Sequence, residues 1–431
     1  MGAFRLREDT VMEEKIKREE ALLERFMRYA AVSSQSDAKA KNVPSSEGQR
    51  ALAELLAKEL QALGFESIEI SEHAVLTARL PSNLPQGVKA PVVGWCAHLD
   101  TVDVNLSPEV KPWVLRHYAG GDICLNEEKD IWLRASEHPE LERFVGEDLV
   151  LSDGTSVLGA DNKSAIANLM TAFAIVREEN RPHGEIYVAF VPDEEIGLRG
   201  AKKLDVSKFP VDFAYTIDCC ALGEVVYETF NAGSALLSIK GVTAHPMSSK
   251  GVLVNPTLIA VDFVNMLDRG ETPECTADRE GFVWVHAINS NASKATVSIK
   301  IRDHNRARYE EKKALLEAAA AFLKTRYPRA KIELSISDTY GNIADAIKPE
   351  NRACIDMLYR ALALEGIEPK TIAMRGGTDG SFISTLGIPT PNYFTGALNF
   401  HSFSEFIPMG DWERSLAVTL ALVDLAAGRR K

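Results

Sequence analysis

Hydrophobic and polar residues alternate along much of the chain with the periods of helices and strands. Five leucines in residues 51–63 would share one face of a helix, and Gly64 would end it. Further helices are predicted at 162–178, 352–364 and 411–427, and strands at 91–97, 185–191, 213–217 and 390–394. This alternation predicts an α/β fold, with a central mixed sheet and helices on both of its faces.

The pattern changes from about Asn231 onward. There the sequence predicts a strand at SALLSIKG, a helix at 256–267, strands at FVWVHAI and ATVSIKI, a helix at 305–323 and a strand at KIELSIS. This βαββαβ order has the length of a small domain. We therefore predict an inserted α+β domain at residues 230–336, a larger domain built from 21–229 and 337–431, and a charged N-terminal leader at 1–20.

Composition and charge narrow the classes of partner. The 431 residues carry a formal net charge of -12, which argues against binding to nucleic acid. No segment has the roughly 20 consecutive apolar residues that span a membrane, and the charged N-terminus lacks a signal sequence, so we expect a cytoplasmic protein that does not bind membranes. The six cysteines form no CxxC pair, which argues against a disulfide framework and a thiolate zinc site. A small soluble substrate fits this composition.

Histidines and acids follow the predicted strands. His98 and Asp100 come where the strand at 91–97 ends, and residues two apart on a strand share a face. Asp161 directly precedes a predicted helix. Each has an ordinary interpretation, because a strand-end pair can simply be hydrogen-bonded and an aspartate is a common helix N-cap.

A denser group follows the strand at 185–191, where Asp193, Glu194 and Glu195 crowd together. Their repulsion and desolvation are unfavourable unless a cation compensates them. Asp218 and His401 follow two other strands. Since ligand-type residues from distant segments meet at one edge of an α/β sheet, we expect a preformed metal site there. Histidine and carboxylate ligands suit zinc, with cobalt or manganese as substitutes, and the set is large enough for two ions that activate water.

The order and spacing of the sequence motifs resemble those of the M20 metallopeptidases, from about Leu22 to the C-terminal segment. The motifs are AHLDTVD, LGADNKS, HGEIYVAFVPDEEIG, KGVTAHP, RGGTDGS and FTGALNFHSFSEF. The resemblance implies that Asp161 bridges two zinc ions. It places His98 and Asp218 on one ion and Glu195 and His401 on the other, with Glu194 as general base. Asp100 would orient His98 and raise its basicity.

The same resemblance identifies the inserted domain as a lid that could also form a homodimer, and it assigns two substrate-binding residues. His245 would stabilise the tetrahedral oxyanion, and Arg375 would hold a carboxylate or carbonyl of the substrate. The ordinary alternatives are a loop histidine before a proline and a tight turn at the glycines after Arg375. Two positions depart from the family pattern. Asn162 stands where some members have aspartate, and Cys219–Cys220 replace a small pair beside a ligand, as inert buried thiols or as groups that narrow the pocket.

The implied activity is removal of the N-terminal residue from short peptides, in particular tripeptides. The words N-terminal and tripeptide rest on the resemblance alone. Another M20 amidohydrolase activity remains open, such as that of a dipeptidase, a carboxypeptidase or an N-acyl amino acid deacylase. A non-catalytic binding protein is the alternative from a different class, although such a protein has no need of Glu194 as a base.

Overall fold

The computed structural model describes residues 2–429, which form two compact units. The first unit contains the described residues up to Val226, the segment Ile347–Ile372 and the residues from Thr378 onward. The second unit contains Tyr227–Ala346 and Ala373–Gly377. Within residues 2–429, no helix is both long and apolar enough to cross a membrane.

The strands and helices alternate as the hydrophobic pattern predicts. The helices are α1 Gly2–Ala30, α2 Glu47–Ala62, α3 Ala160–Glu178, α4 Pro256–Asn265, α5 Arg306–Arg326, α6 Ala353–Leu364, α7 Asp379–Thr385 and α8 Met409–Ala426. The strands are β1 Glu66–Ile70, β2 Leu76–Leu80, β3 Val93–His98, β4 Pro112–Leu115, β5 Ile123–Asn126, β6 Ile131–Leu133, β7 Leu149–Ser152, β8 Ile186–Val191, β9 Phe213–Cys219, β10 Glu224–Glu228, β11 Asn231–Lys240, β12 Phe282–Ser290, β13 Lys294–Asp303, β14 Lys331–Tyr340, β15 Lys370–Ala373, β16 Asn392–Phe394 and β17 Phe406–Pro408.

An eight-stranded mixed sheet forms the centre of the first unit, in the order β1-β2-β8-β3-β9-β16-β10-β15. Its middle strands β8, β3, β9 and β16 are parallel, while β2 and β10 join them in the antiparallel direction. Every residue of β3 is buried, which explains why its sequence is an uninterrupted apolar run. The predicted mixed sheet is confirmed.

Helices cover both faces of this sheet, as two neighbouring residues of β3 illustrate. The ring of Trp95 packs edge-on against Phe173 of α3, with 6.2 Å between the ring centroids. Cys96, which points to the opposite face, belongs to a buried cluster with Ile383 of α7. The two helices therefore lie on opposite faces.

The described part of the predicted leader is not a separate segment, because α1 runs without interruption from Gly2 to Ala30. From Leu22 onward one face of α1 is buried, and Phe26 meets Trp412 of α8 edge-on at 5.7 Å. Further toward the N-terminus, Arg18 donates a hydrogen bond to Glu413 over 3.2 Å. Helix α1 thus packs on the first unit.

A smaller sheet lies outside the predicted pattern, in the order β17-β7-β4, with β5 and β6 forming a hairpin beside it. Its strands have three or four residues each, too short to give a clear period of two. Leu149 and Phe406 bury apolar side chains in the cluster of this region. Since β17 is one of its strands, this sheet supports the segment that carries His401.

The second unit is an antiparallel sheet in the order β12-β13-β11-β14, with α4 and α5 packed on it. Its core contains Leu237, Phe263, Ile299 and Leu316, all fully buried or nearly so. The predicted βαββαβ order is found here as β11, α4, β12, β13, α5 and β14.

The core contact between α3 and the central sheet gives a stability prediction. Phe173 is fully buried and contacts both Phe65 and Trp95. We expect Phe173→Ala to lower the free energy of unfolding by about 3–5 kcal/mol, because the cavity is lined by rigid rings. Urea unfolding monitored by circular dichroism measures the change. Phe322→Ala, at a position that is 54% exposed, is the control, and an equal loss in both variants would contradict the prediction.

Candidate metal centre

The ligand-type residues gather at the carboxyl edge of the central sheet. His98 is the last residue of β3, Glu195 follows the end of β8, and Asp218 lies near the end of β9. Asp161 is in the first turn of α3, and His401 lies in the loop between β16 and β17. Because β8, β3, β9 and β16 are adjacent and parallel, their ends bring these residues together.

The carboxylate of Asp161 lies between two imidazoles. Its Oδ1 is 2.9 Å from Nε2 of His98, and its Oδ2 is 3.0 Å from Nε2 of His401. One oxygen thus faces each histidine. This is the arrangement of a carboxylate that can bridge two cations.

Each histidine has a second carboxylate nearby. Nε2 of His98 is 3.8 Å from Oδ1 of Asp218, and Nε2 of His401 is 3.0 Å from Oε1 of Glu195. The five residues therefore divide into two groups that share Asp161. The ligand atoms of His98, Asp161 and Glu195 also lie within 4.8 Å of one another.

Burial makes this group of acids electrostatically unfavourable by itself. Burial and the charge of Asp161 raise the pKa of Glu195 to about 7 and that of Asp218 to about 6. Burial also raises the pKa of Asp161, but hydrogen bonds from His401 and His98 outweigh it and hold that pKa below its usual value. The imidazoles compensate only part of the negative charge, and a cation would compensate the rest.

One buried oxygen tests directly whether these residues fit a metal. Oε1 of Glu195 is inaccessible to solvent and has no hydrogen-bond partner within residues 2–429. Nε2 of His401 lies 3.0 Å away, but the single proton that this nitrogen can carry is shared with Oδ2 of Asp161, also at 3.0 Å. A buried acceptor without a donor is costly, whereas a shared cation satisfies both atoms. The residues fit a metal ion.

Asp100 contacts three residues of the candidate metal centre, His98, Glu194 and Glu195. Its Oδ1 and Oδ2 accept hydrogen bonds from the backbone N–H groups of Glu194 and Glu195, over 2.9 and 3.2 Å. Its backbone oxygen is 3.0 Å from Nδ1 of His98, and its Oδ1 is 3.3 Å from the same atom. Asp100 therefore contacts the imidazole and also holds the backbone of the two glutamates, which the sequence does not indicate.

We expect Asp100→Asn to weaken metal affinity or activity by about 10–100-fold, as is usual for residues that orient metal ligands. The amide turns a donor toward one of the two backbone N–H groups. Competition with a metal chelator measures the loss. Asp103→Asn is the control, since its side chain caps only the nearby N–H of Asn105. Equal behaviour of the two variants would refute this role.

Asn162 holds strand ends together. Its Oδ1 accepts from the backbone N–H of His98 over 3.3 Å, and its Nδ2 donates to the backbone oxygen of Ile217 over 2.7 Å and to Oδ1 of Asp218 over 3.1 Å. An asparagine can donate and accept at once, which these contacts require. The departure from aspartate at this position is thus compatible with the site.

Asp193 corrects the expectation that a cation compensates all three acids after β8. Its backbone has a positive φ of 57°, and its carboxylate accepts from the backbone and hydroxyl groups of Ser45 and from Nε2 of Gln49. Hydrogen bonds therefore compensate this charge. Only Glu194 and Glu195 of the three remain for the metal centre.

Two buried residues that sequence reasoning missed also belong to the centre. Glu405 accepts hydrogen bonds from the backbone N–H groups of Gly159 and Asp161, and Nζ of Lys163 donates to the backbone oxygen of Val32. The signals were an acid four residues after His401 and a lysine in the first turn of a mostly buried helix. Both lie within motifs that also carry ligands, which hid them.

Two predicted site residues lie in the second unit. His245 is exposed in the segment between β11 and α4, and its Nδ1 accepts from the backbone N–H of Met247 over 3.2 Å. The guanidinium of Arg375 lies 5.3 and 5.5 Å from the ring centroids of Phe230 and Phe282. It donates to the backbone oxygens of Asp278 and Glu280 and to Oγ1 of Thr276. Within this unit, Arg375 holds the segment 276–280.

The cysteine pair beside Asp218 is mostly sheltered. Cys219 is buried and Cys220 is partly buried. Burial and the charge of Glu224 raise the pKa of both thiols above its usual value. Because the thiolate is the reactive form, this favours inert cysteines.

An α/β sheet with histidines and carboxylates gathered at its carboxyl edge defines a class of metal-dependent enzymes with a preformed site. Residues 159–425 match the profile of peptidase family M20/M25/M40, and the chain belongs to this family. It is 52% identical to a peptidase T-like protein of Rhizobium meliloti, over 95% of this chain and 98% of that protein. It is 41% identical to peptidase T of Geobacillus kaustophilus, over 94% and 98%.

A solved structure supports the fold. The aminopeptidase PepT of Bacillus cereus superposes with a TM-score of 0.74 at 21% identity, covering 95% of this chain and 99% of that one. The family profile and the two relatives confirm the family that the motifs indicate, and this structure confirms the α/β fold class.

Proposed function

We propose that the protein is a metal-dependent aminopeptidase that removes the N-terminal residue from tripeptides, with two zinc ions per subunit, which cobalt or manganese can replace. The observation that carries the proposal is the carboxylate of Asp161, which presents one oxygen to His98 and the other to His401. The name of the relative, peptidase T, supports the proposed peptidase activity.

His98, Asp161 and Asp218 would hold one ion, and Asp161, Glu195 and His401 the other. When bound, such a pair activates a water molecule and polarises the carbonyl of the peptide bond. Glu194 follows the same strand as Glu195, and Asp100 fixes the backbone N–H groups of both. We assign Glu194 as the general base, whose carboxylate accepts the proton of the attacking water and passes it to the leaving amine.

The inserted domain at 230–336 is proposed to act as the lid, and His245 is proposed to stabilise the oxyanion. Arg375 is proposed to hold a polar group of the substrate. Thr276 and two carbonyl groups already occupy several donors of Arg375. A guanidinium has five N–H donors, so others remain for a ligand. A homodimer through this domain stays a prediction, which light scattering of the purified protein checks.

The substrate role of Arg375 predicts a specific kinetic change. We expect Arg375→Lys to raise KM for a tripeptide by about 10-fold with little change in kcat, because it removes a contact made equally in the ground and transition states. Thr276→Ala is the control, since it removes one partner of Arg375 within the second unit without altering the guanidinium. Unchanged KM in Arg375→Lys would exclude substrate binding by this residue.

A panel of substrates tests the proposed activity. The zinc-loaded protein is incubated with Leu-Gly-Gly, Leu-Gly, N-acetyl-Leu-Gly-Gly and N-acetyl-leucine, and products are identified by mass spectrometry. We expect leucine and Gly-Gly from the free tripeptide and much slower hydrolysis of the others. Release of the C-terminal glycine, or hydrolysis of the acetylated compounds alone, would replace the proposal with another M20 amidohydrolase activity.

A further inference from the structure

Glu405 connects the two segments that carry Asp161 and His401. Its side chain is only 1% exposed, and it follows His401 by four residues. Its Oε2 accepts from the backbone N–H of Gly159 over 2.8 Å, and its Oε1 accepts from the backbone N–H of Asp161 over 3.0 Å. One buried carboxylate therefore fixes the start of α3 to the loop of the second histidine.

We infer that Glu405 is a positioning residue that sets the spacing between Asp161 and His401, and thereby the affinity of the metal site that His401 and Glu195 form. The inference rests on the proposed function, since it concerns the same metal centre. The two hydrogen bonds of Glu405 come from backbone N–H groups and not from the side-chain atoms proposed as ligands. It acts through the backbone of Asp161 and through its own place in the chain after His401.

The local backbone explains why a carboxylate is needed here. Gly159 has a φ of +72°, and a Cβ at this position would lie 2.9 Å from the side chain of Thr101, so the turn before Asp161 is tight. Its N–H groups at positions 159 and 161 point to the same side chain. Only a carboxylate offers acceptors on both of its oxygens and donates from neither. Glutamine would turn a donor toward one of the two N–H groups.

The segment on either side of Glu405 and His401 is held by contacts with other parts of the first unit. Strand β17 begins at the next residue, Phe406, which is fully buried and pairs with Leu151 of β7. On the other side of His401, Nδ2 of Asn399 donates to Oε1 of Glu140 over 2.8 Å. The loop of His401 is thus fixed at both ends, and Glu405 transmits that position to Asp161.

Lys163, two residues after Asp161, is also fully buried, and its Nζ donates to the backbone oxygen of Val32 over 2.7 Å. Asp100 holds Glu194 and Glu195 by their backbone N–H groups, as Glu405 holds Gly159 and Asp161. Two buried carboxylates therefore hold the backbone of the segments around the centre.

A purely structural role and a positioning role predict different results. Loss of a structural contact lowers the stability of the fold and leaves the metal affinity of folded protein unchanged. Loss of the proposed contact weakens one metal site more than the other. The matched comparison is Glu413, a buried glutamate of α8 that accepts a hydrogen bond from Arg18 away from the centre.

The test is a titration of the metal-free, full-length protein with Co²⁺, followed by visible absorption and by calorimetry, for wild type, Glu405→Gln, Glu405→Asp and Glu413→Gln. We expect two Co²⁺ sites in wild type and in Glu413→Gln. In Glu405→Gln we expect one site to weaken by about 10–100-fold with an altered absorption band, while the other changes little. Glu405→Asp, which keeps the charge but shortens the reach, should weaken the same site less.

Two further outcomes would contradict the inference. If folded Glu405→Gln binds each of the two ions as tightly as wild type does, the positioning role of Glu405 is contradicted. The proposed function is then unaffected. A wild-type protein that binds no Co²⁺ would overturn the proposed function and this inference together. If Glu405→Gln does not fold, the test relies on Glu405→Asp, whose shorter side chain should alter the contact with Gly159 and Asp161. A Glu405→Asp protein that binds both ions as tightly as wild type would contradict the positioning role.

Discussion

Glu194→Gln is expected to lower kcat for Leu-Gly-Gly by about 10²–10⁴-fold while the protein keeps its zinc. The amide has nearly the same shape as the carboxylate but does not accept a proton from water. The five ligand residues are unchanged, and Asp100 still receives the backbone N–H of residue 194. Initial rates and zinc content per chain, measured by plasma mass spectrometry, separate catalysis from metal binding.

The control for this prediction is Glu109→Gln, a substitution at an exposed position outside the metal centre. It should leave both rate and zinc content unaltered. Undiminished turnover in Glu194→Gln would exclude this residue as the base. Loss of zinc together with activity would instead assign Glu194 a part in metal binding.

Asp161→Ala is expected to abolish binding of the metal pair and to reduce activity by more than about 10³-fold. The variant leaves each proposed ion with only two protein ligands and removes the shared carboxylate between His98 and His401. Metal ions contribute several kcal/mol of transition-state stabilisation, and about 4 kcal/mol corresponds to this factor. Zinc content and peptidase rate, measured on the same preparation, give the result.

Asp153→Ala is a suitable comparison for this variant, because the carboxylate of Asp153 caps the nearby residue Thr155 and pairs with the exposed Lys111 at 3.8 Å, and neither is a proposed ligand. It should keep both ions and most of the activity. A Asp161→Ala protein that retained two ions would show that Asp161 does not bridge them. The two groups of ligands described above would then need a different assignment.

The parts of the fold that could be predicted are those with long, uniform patterns. The strands β3 and β8 are buried on both faces, and their apolar runs therefore predict the ends of the strands to within about two residues. For this reason His98 and Glu195 could be placed at the edge of the sheet. The inserted βαββαβ order was equally visible, because its strands have nine or ten residues and alternate clearly.

The parts that could not be predicted depend on contacts between distant segments. Nothing local in the sequence distinguishes Asp193 from the two glutamates after it, and only the turn at its positive φ and the donors of Ser45 and Gln49 separate them. The contact of Glu405 with Asp161 spans 244 positions. The small sheet with β4 and β7 was not predicted, because its strands are too short to show the alternation of apolar and polar residues that marks a strand.

The two histidines of the centre differ greatly in exposure, 2% for the side chain of His98 and 48% for that of His401. If both hold ions, the outer one meets solvent and the inner one does not. The outer ion would then exchange with the surrounding pool of metals far sooner than the inner ion. The metal bound at the outer position would then reflect the metals present in the surrounding solution. The metal bound at the inner position would reflect those present when the protein folded.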